Sequence, residues 1–122
     1  MKKIDKLNNQ FESVRHGVTY KSHTQDHTFY TTINSDKDGK VIEMFVSLDD
    51  KDLFEMMTLC TRLVSMSLRA GVDPMTIAQE LKGVSSPVTS HMIPRTDIMC
   101  PSIVARIGYI LEKHINDNKG VK

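Results

Sequence analysis

From Asp49 to Ala70 the chain carries one long helical pattern in which the polar side chains Lys51, Glu55, Thr58, Arg62, Ser65 and Arg69 recur at intervals of four and three. Apolar residues from Leu53 to Leu68 occupy the rest of the circumference, which is more apolar surface than one face packed on a sheet consumes. Such a helix needs cover on two sides. A chain of 122 residues has room for a single hydrophobic core, so the surplus predicts a second burial partner, a further copy of the chain, and hence a homo-oligomer. The same polar interruptions rule the segment out as a membrane span.

The helix is bounded by strong local signals. Asp49 or Asp50 can cap its start. Gly71 is placed to end it in the left-handed conformation, Asp73 to cap a second, short helix, and Pro74 to occupy the first turn of that helix, where no N–H is missed. Val72 and Ile77 are spaced as a hydrophobic staple, and the short helix runs through Ala78 and Leu81 to Gly83. Upstream, Val18 to Tyr20 and Thr28 to Ile33 concentrate β-branched and aromatic residues, and Val41 to Val46 resumes an extended pattern after Asp38-Gly39. These read as strands of an antiparallel sheet with a turn that uses the positive φ of glycine. The stretch from Asn34 to Gly39 also imitates the opening of a calcium loop. Its twelfth position would be Phe45 where a bidentate acid is required, so it reads as a turn. The expected fold class is α+β: a small antiparallel sheet from the N-terminal half, packed by one long and two further C-terminal helices.

Residues 1–14 read as an arm, with Ile4, Leu7, Phe11 and Val14 on one helical face, and 15–118 as one domain. From Val84 to Met99 neither period holds, and a connection of that length in a compact domain is a candidate functional segment. Cys100-Pro101 is read as the start of the last helix, whose apolar stripe is Ile103, Ile107, Ile110, Leu111 and Ile115.

The charge balance, 16 basic against 15 acidic residues, gives no field for duplex nucleic acid. Two distant cysteines and the lack of a signal-peptide pattern suggest a reducing cytoplasm. The histidines are scattered; His23 and His27 would stand roughly 13 Å apart in an extended chain. No metal, no cofactor and no catalytic set is expected. At the expected helix N-cap the dipole would lower the Cys100 thiol pKa, but with no resolving cysteine near it in sequence Cys100 reads first as a small, partly buried capping residue, and Cys60 as core packing. The start of the last helix is the expected anion site: free backbone N–H groups would be joined by donors from the loop and the helix, namely Ser86, Ser90, Arg95, Thr96, Ser102 and Arg106.

Several segments in order resemble the TSCPD domain, best known as a C-terminal module of adenosylcobalamin-dependent ribonucleotide reductases. They include Phe29-Tyr30-Thr31-Thr32-Ile33-Asn34, Asp38-Gly39-Lys40, Glu43-Met44-Phe45-Val46 and Arg62-Leu63-Val64-Ser65. Leu68-Arg69-Ala70-Gly71-Val72-Asp73-Pro74, Leu81-Lys82-Gly83-Val84 and Met99-Cys100-Pro101-Ser102-Ile103 complete the set. The naming signature departs here, keeping only the Cys-Pro pair of Ile98-Met99-Cys100-Pro101-Ser102, and Ser85 or Ser86 stands where a second cysteine is common. The chain is too short for a reductase barrel. The resemblance implies a free-standing, non-catalytic binder of a nucleotide or cyclic nucleotide signal, similar to small phage proteins that sequester immune signalling nucleotides. The alternative it implies is an accessory module of a ribonucleotide reductase, acting through the large subunit or Cys100. A weaker third reading is a nucleotide hydrolase with His91 or Asp97 as base.

Overall fold

The computed structural model describes residues 15–118. The arm expected over 1–14 lies outside them. Strands β1 (His16–His23), β2 (Thr28–Ser35) and β3 (Val41–Leu48) form an antiparallel sheet in the order β1-β2-β3. Helices α1 (Lys51–Arg69), α2 (Pro74–Lys82) and α3 (Ile103–Asp117) follow, with a two-stranded ladder, β4 (His91–Met92) and β5 (Met99–Cys100), between the last two. This is the expected α+β architecture. The ladder is an addition, because strands of two residues leave no sequence period to read.

Local chemistry explains the joints. The β2–β3 turn rests on Asp36, whose Oδ1 accepts from the amides of Asp38 and Lys40, and on Gly39 at φ +86°. That carboxylate oxygen is thereby used in the turn and not offered to a cation. Asp50 caps α1, its Oδ1 accepting from the amides of Asp52 and Leu53. At the other end Gly71, at φ +98°, donates to Leu68 O while Val72 donates to Ser67 O, the paired C-terminal bonds of a left-handed helix stop. Asp73 then caps α2 through Thr76 N, with Pro74 in the first turn.

The core lies between one face of the sheet and the helices. Phe29, Ile33, Met44, Leu68, Ile107 and Leu111 form its fully covered centre. Helix α3 packs closely on α2: a Cβ at Gly108 would lie 2.8 Å from Lys82 N and 2.9 Å from Ala78 O, so only glycine permits the approach. It also reaches β1, where Tyr20 Oη and His114 Nδ1 are 2.6 Å apart. Burial pushes the His114 pKa down and the Tyr20 pKa up, so the pair is a phenol donating to a neutral imidazole.

Helix α1 lies against β3, the edge of the sheet. Its inward face is Met57, Thr61, Val64, Ser65 and Leu68. Ser65, one of the recurring polar positions in the sequence, is buried: its hydroxyl accepts from Met44 N and donates to Met44 O, closing the unpaired backbone of the edge strand. Met56, Leu59, Leu63 and Met66 point the other way and remain 51–62% exposed.

Candidate functional site

The segment from Val84 to Pro101 wraps the start of α3 and contains the β4–β5 hairpin. Two structural features differ from expectation. Helix α3 begins at Ile103 with Ser102 as its N-cap, so Cys100 is not a capping residue; it lies in β5, paired with His91. Its thiol is fully buried and bonds to Ser102 O, and burial pushes its pKa up. A thiol made reactive by a helix N-terminus is therefore not what the fold provides here. Cys60 is partly buried and packs against the core.

The backbone N–H groups at the start of α3 are also largely engaged. Ile103 N donates to Thr89 Oγ1 and Ala105 N to Ser102 Oγ, while the Ser102 hydroxyl donates to Val84 O at 2.6 Å. Ser102 is thus a buried rivet between the loop and the helix, not a ligand donor at a vacant terminus. Ser86 and Ser102 share the lining of a cavity of about 340 Å³ with Leu53, Met57, Val88 and Ile103. That lining is almost wholly apolar and suits a hydrophobic side chain or ring better than a phosphate. Ser86 Oγ already accepts from Val88 N, and Ser90 is exposed on the approach to β4.

The remaining three candidates belong to the hairpin and its base. Ile93 and Ile98 close the hairpin through a backbone bond, and Thr96 braces the tip by donating to Ile93 O and accepting from Ile98 N. Arg95 occupies that tip, exposed, at φ 62°. A non-glycine residue there costs on the order of 1–2 kcal/mol, and backbone strain of this kind concentrates at functional positions. Met92 and Met99, cross-strand partners, are exposed beside it.

Arg106, one turn into α3, points back to the hairpin base and donates through Nη1 to His91 Nε2 at 3.0 Å. His91 Nδ1 in turn donates to Thr89 O, which fixes the imidazole as its neutral Nδ1–H tautomer. With both ring nitrogens engaged, His91 has no free lone pair to serve as a general base. The Arg106 guanidinium is half-buried, desolvation lowers its pKa, and among the described residues it makes no ion pair with a carboxylate. No sequence period links His91 to Arg106, so the contact was not legible beforehand. The charge between α2 and α3 is satisfied: Glu112 accepts from Gln79 and Lys82, and these bonds hold its pKa low.

At the opposite end of the sheet a cavity of about 380 Å³ lies between the β2–β3 turn and the end of α3, lined by His16, Asp36, Lys37, His114 and Asn118. None of the six candidates reaches it. Among the described residues there is no group of three or more His, Cys, Asp or Glu side chains placed to hold a metal ion, and no helix is long and apolar enough to cross a membrane.

The sequence model of the TSCPD domain family matches residues 5–115, nearly the whole chain, and the protein belongs to that family. No curated protein and no solved structure gives a match.

Proposed function

We propose that this TSCPD-domain chain is a non-catalytic, homo-oligomeric binder of a nucleotide or cyclic nucleotide, gripping the ligand by its phosphate and withholding it intact. The observation that carries the reading is Arg106: a half-buried guanidinium whose only side-chain hydrogen-bond partner among the described residues is the ring of His91. A cation partly withdrawn from water, with no carboxylate beside it, is strengthened by an anion that completes it. A phosphate does so, and a guanidinium can grip two of its oxygens at once. Arg95 adds a second guanidinium from the strained hairpin tip. The exposed Met92 and Met99 beside it give the hairpin an apolar flank for a neighbouring copy. Capture asks for no acid, base or metal, so the signal is sequestered rather than turned over. Thiol exchange with a reductase is the poorer reading, because the Cys100 thiol is covered and its pKa raised.

A thermal-shift and calorimetric screen against nucleoside mono- and diphosphates, cyclic dinucleotides and cyclic ADP-ribose isomers tests this, since a ligand that binds only the folded state raises Tm. At least one phosphate-bearing compound binds and is recovered unchanged. Arg106→Gln and Arg95→Ala each weaken that binding by about 1.5–3 kcal/mol, the worth of a charge-assisted hydrogen bond, and Arg95→Lys weakens it less. No binding across the panel, or full affinity in both variants, overturns the reading.

A further inference from the structure

The far end of α3 gathers three side chains that each keep one polar atom free. His114 is only 6% exposed. Its Nδ1 accepts from the Tyr20 hydroxyl, so Nε2 carries the ring hydrogen, and Nε2 has no hydrogen-bond partner among the described residues. Nor is that nitrogen sealed away: among those residues Thr31 Oγ1 is the only fully covered side-chain polar atom left without a partner. The opening beside the ring is the cavity of about 380 Å³ between α3 and the β2–β3 turn.

Asp36 and Asn118 line the same cavity in the same half-used state. The amides of Asp38 and Lys40 hold Asp36 Oδ1, which leaves Oδ2 unbonded, and the carboxylate has no ion-pair partner among the described residues. Asn118 Nδ2 donates to His114 O at 2.6 Å, which leaves its Oδ1 unbonded. Each of these bonds fixes a side chain in advance, so little ordering remains to oppose a ligand. At the rim the exposed Lys37 and Asp38 carry opposite charges beside the exposed His16, and with Asp36 the lining has no surplus of positive charge. Val18, on the same face of the sheet as Ile33 and 46% exposed, adds an apolar surface.

The donors and acceptors select the ligand. A phosphate or carboxylate would set its charge against Asp36 and satisfy neither free acceptor. An ammonium group has no lone pair for the Nε2 hydrogen. A hydroxyl answers both, because it accepts and donates at one oxygen. We propose that this cavity binds a neutral polyol through a vicinal diol, with a pentose ring as the ligand class. One hydroxyl donates to Asp36 Oδ2, its neighbour accepts from His114 Nε2 and donates to Asn118 Oδ1, and the carbon face of the ring lies on Val18. His114 stands two turns beyond Arg106 on α3, about 12 Å along the axis. The polyol site is therefore separate from the phosphate grip and does not rest on that reading.

Heteronuclear NMR of the full chain tests it, with D-ribose, 2-deoxy-D-ribose and inorganic phosphate as probes. Ribose shifts the side-chain nitrogens of His114 and the backbone amides of the Asp36 turn, with a dissociation constant on the order of 1–10 mM, the range open to a ligand with so few heavy atoms. Deoxyribose, which lacks one hydroxyl of the diol, binds about 3–10-fold more weakly. Asn118→Ala, at an exposed position, and Asp36→Asn, which keeps Oδ1 for the turn, each weaken ribose binding by about 3–10-fold. No shift with ribose, a response to phosphate alone, or equal affinity for the two sugars overturns the proposal, and so does full affinity in either variant. Should Asp36→Asn fail to fold, Asn118→Ala and the deoxyribose comparison decide on the same terms.

Discussion

Helices α1 and α3 spend their apolar residues in opposite ways. Along α3 the large side chains Ile103, Ile107, Ile110 and Leu111 are buried, and Gly108 lets the backbone of α2 come close. Along α1 the inward face is partly hydroxylic, with Thr61 and Ser65 between Met57, Val64 and Leu68, and many of its largest apolar groups face out. The difference teaches what each helix is for within one copy. Helix α3 builds the core, whereas α1 closes the edge of β3 with the Ser65 hydroxyl and carries a surface that the single copy does not use.

The comparison breaks most visibly at Gly108. Gly108→Val drives a branched side chain into the α2 backbone, and the expected loss is about 3 kcal/mol or more, measured as the denaturant midpoint at constant m. An α2–α3 pair that absorbed valine without loss would mean the close approach is not needed. Next come matched truncations, one per helix. Leu111→Ala, at a fully buried position, costs about 2–5 kcal/mol. Leu63→Ala changes the stability of a single copy by no more than ~0.5 kcal/mol and shows its effect in the concentration dependence of Tm instead. Equal, concentration-independent losses at the two positions would erase the distinction between a core helix and a surface helix.

Ser65→Ala sharpens the inner side of the comparison. It removes the partner of Met44 N in a buried setting and costs about 1–3 kcal/mol; hydrogen exchange at the Met44 amide rises with it. The smallest expected effect is a pH dependence at the α3–β1 contact. Burial holds the His114 pKa below the ordinary 6.5, outweighing Asp117, which raises it. The unfolded chain therefore binds more protons than the folded one between the lowered value and 6.5. Stability from this group is full above that window and is lost as pH falls through it. Tyr20→Phe removes the phenol that donates to Nδ1 and costs about 0.5–1.5 kcal/mol at neutral pH. A Tm that rose on acidification through this range would contradict the assignment.

The sheet, the caps and the helix stops were legible because each rests on local chemistry. Asp50, Gly71, Asp73 and Gly39 do their work within a few residues of their own positions. The wide apolar circumference of α1 was legible too, but which part of it faced inward was not. Ser65 is drawn in by the edge of a strand distant in sequence, and periodicity carries no record of that. The same limit governs the site. Among the candidates Arg95 and Arg106 keep free charge, while Ser102 and Thr96 are engaged in closing loops. The start of α3 was displaced from Pro101 to Ile103 because Cys100 pairs with His91 in a ladder too short to announce itself.

Native mass spectrometry of the wild-type chain with a phosphate-bearing ligand found in the screen reads assembly and capture together. The account predicts an oligomer carrying intact ligand, with the bound fraction falling in Arg106→Gln while the oligomer persists. A monomer that binds no phosphate compound would contradict it, and so would an oligomer that releases hydrolysed product.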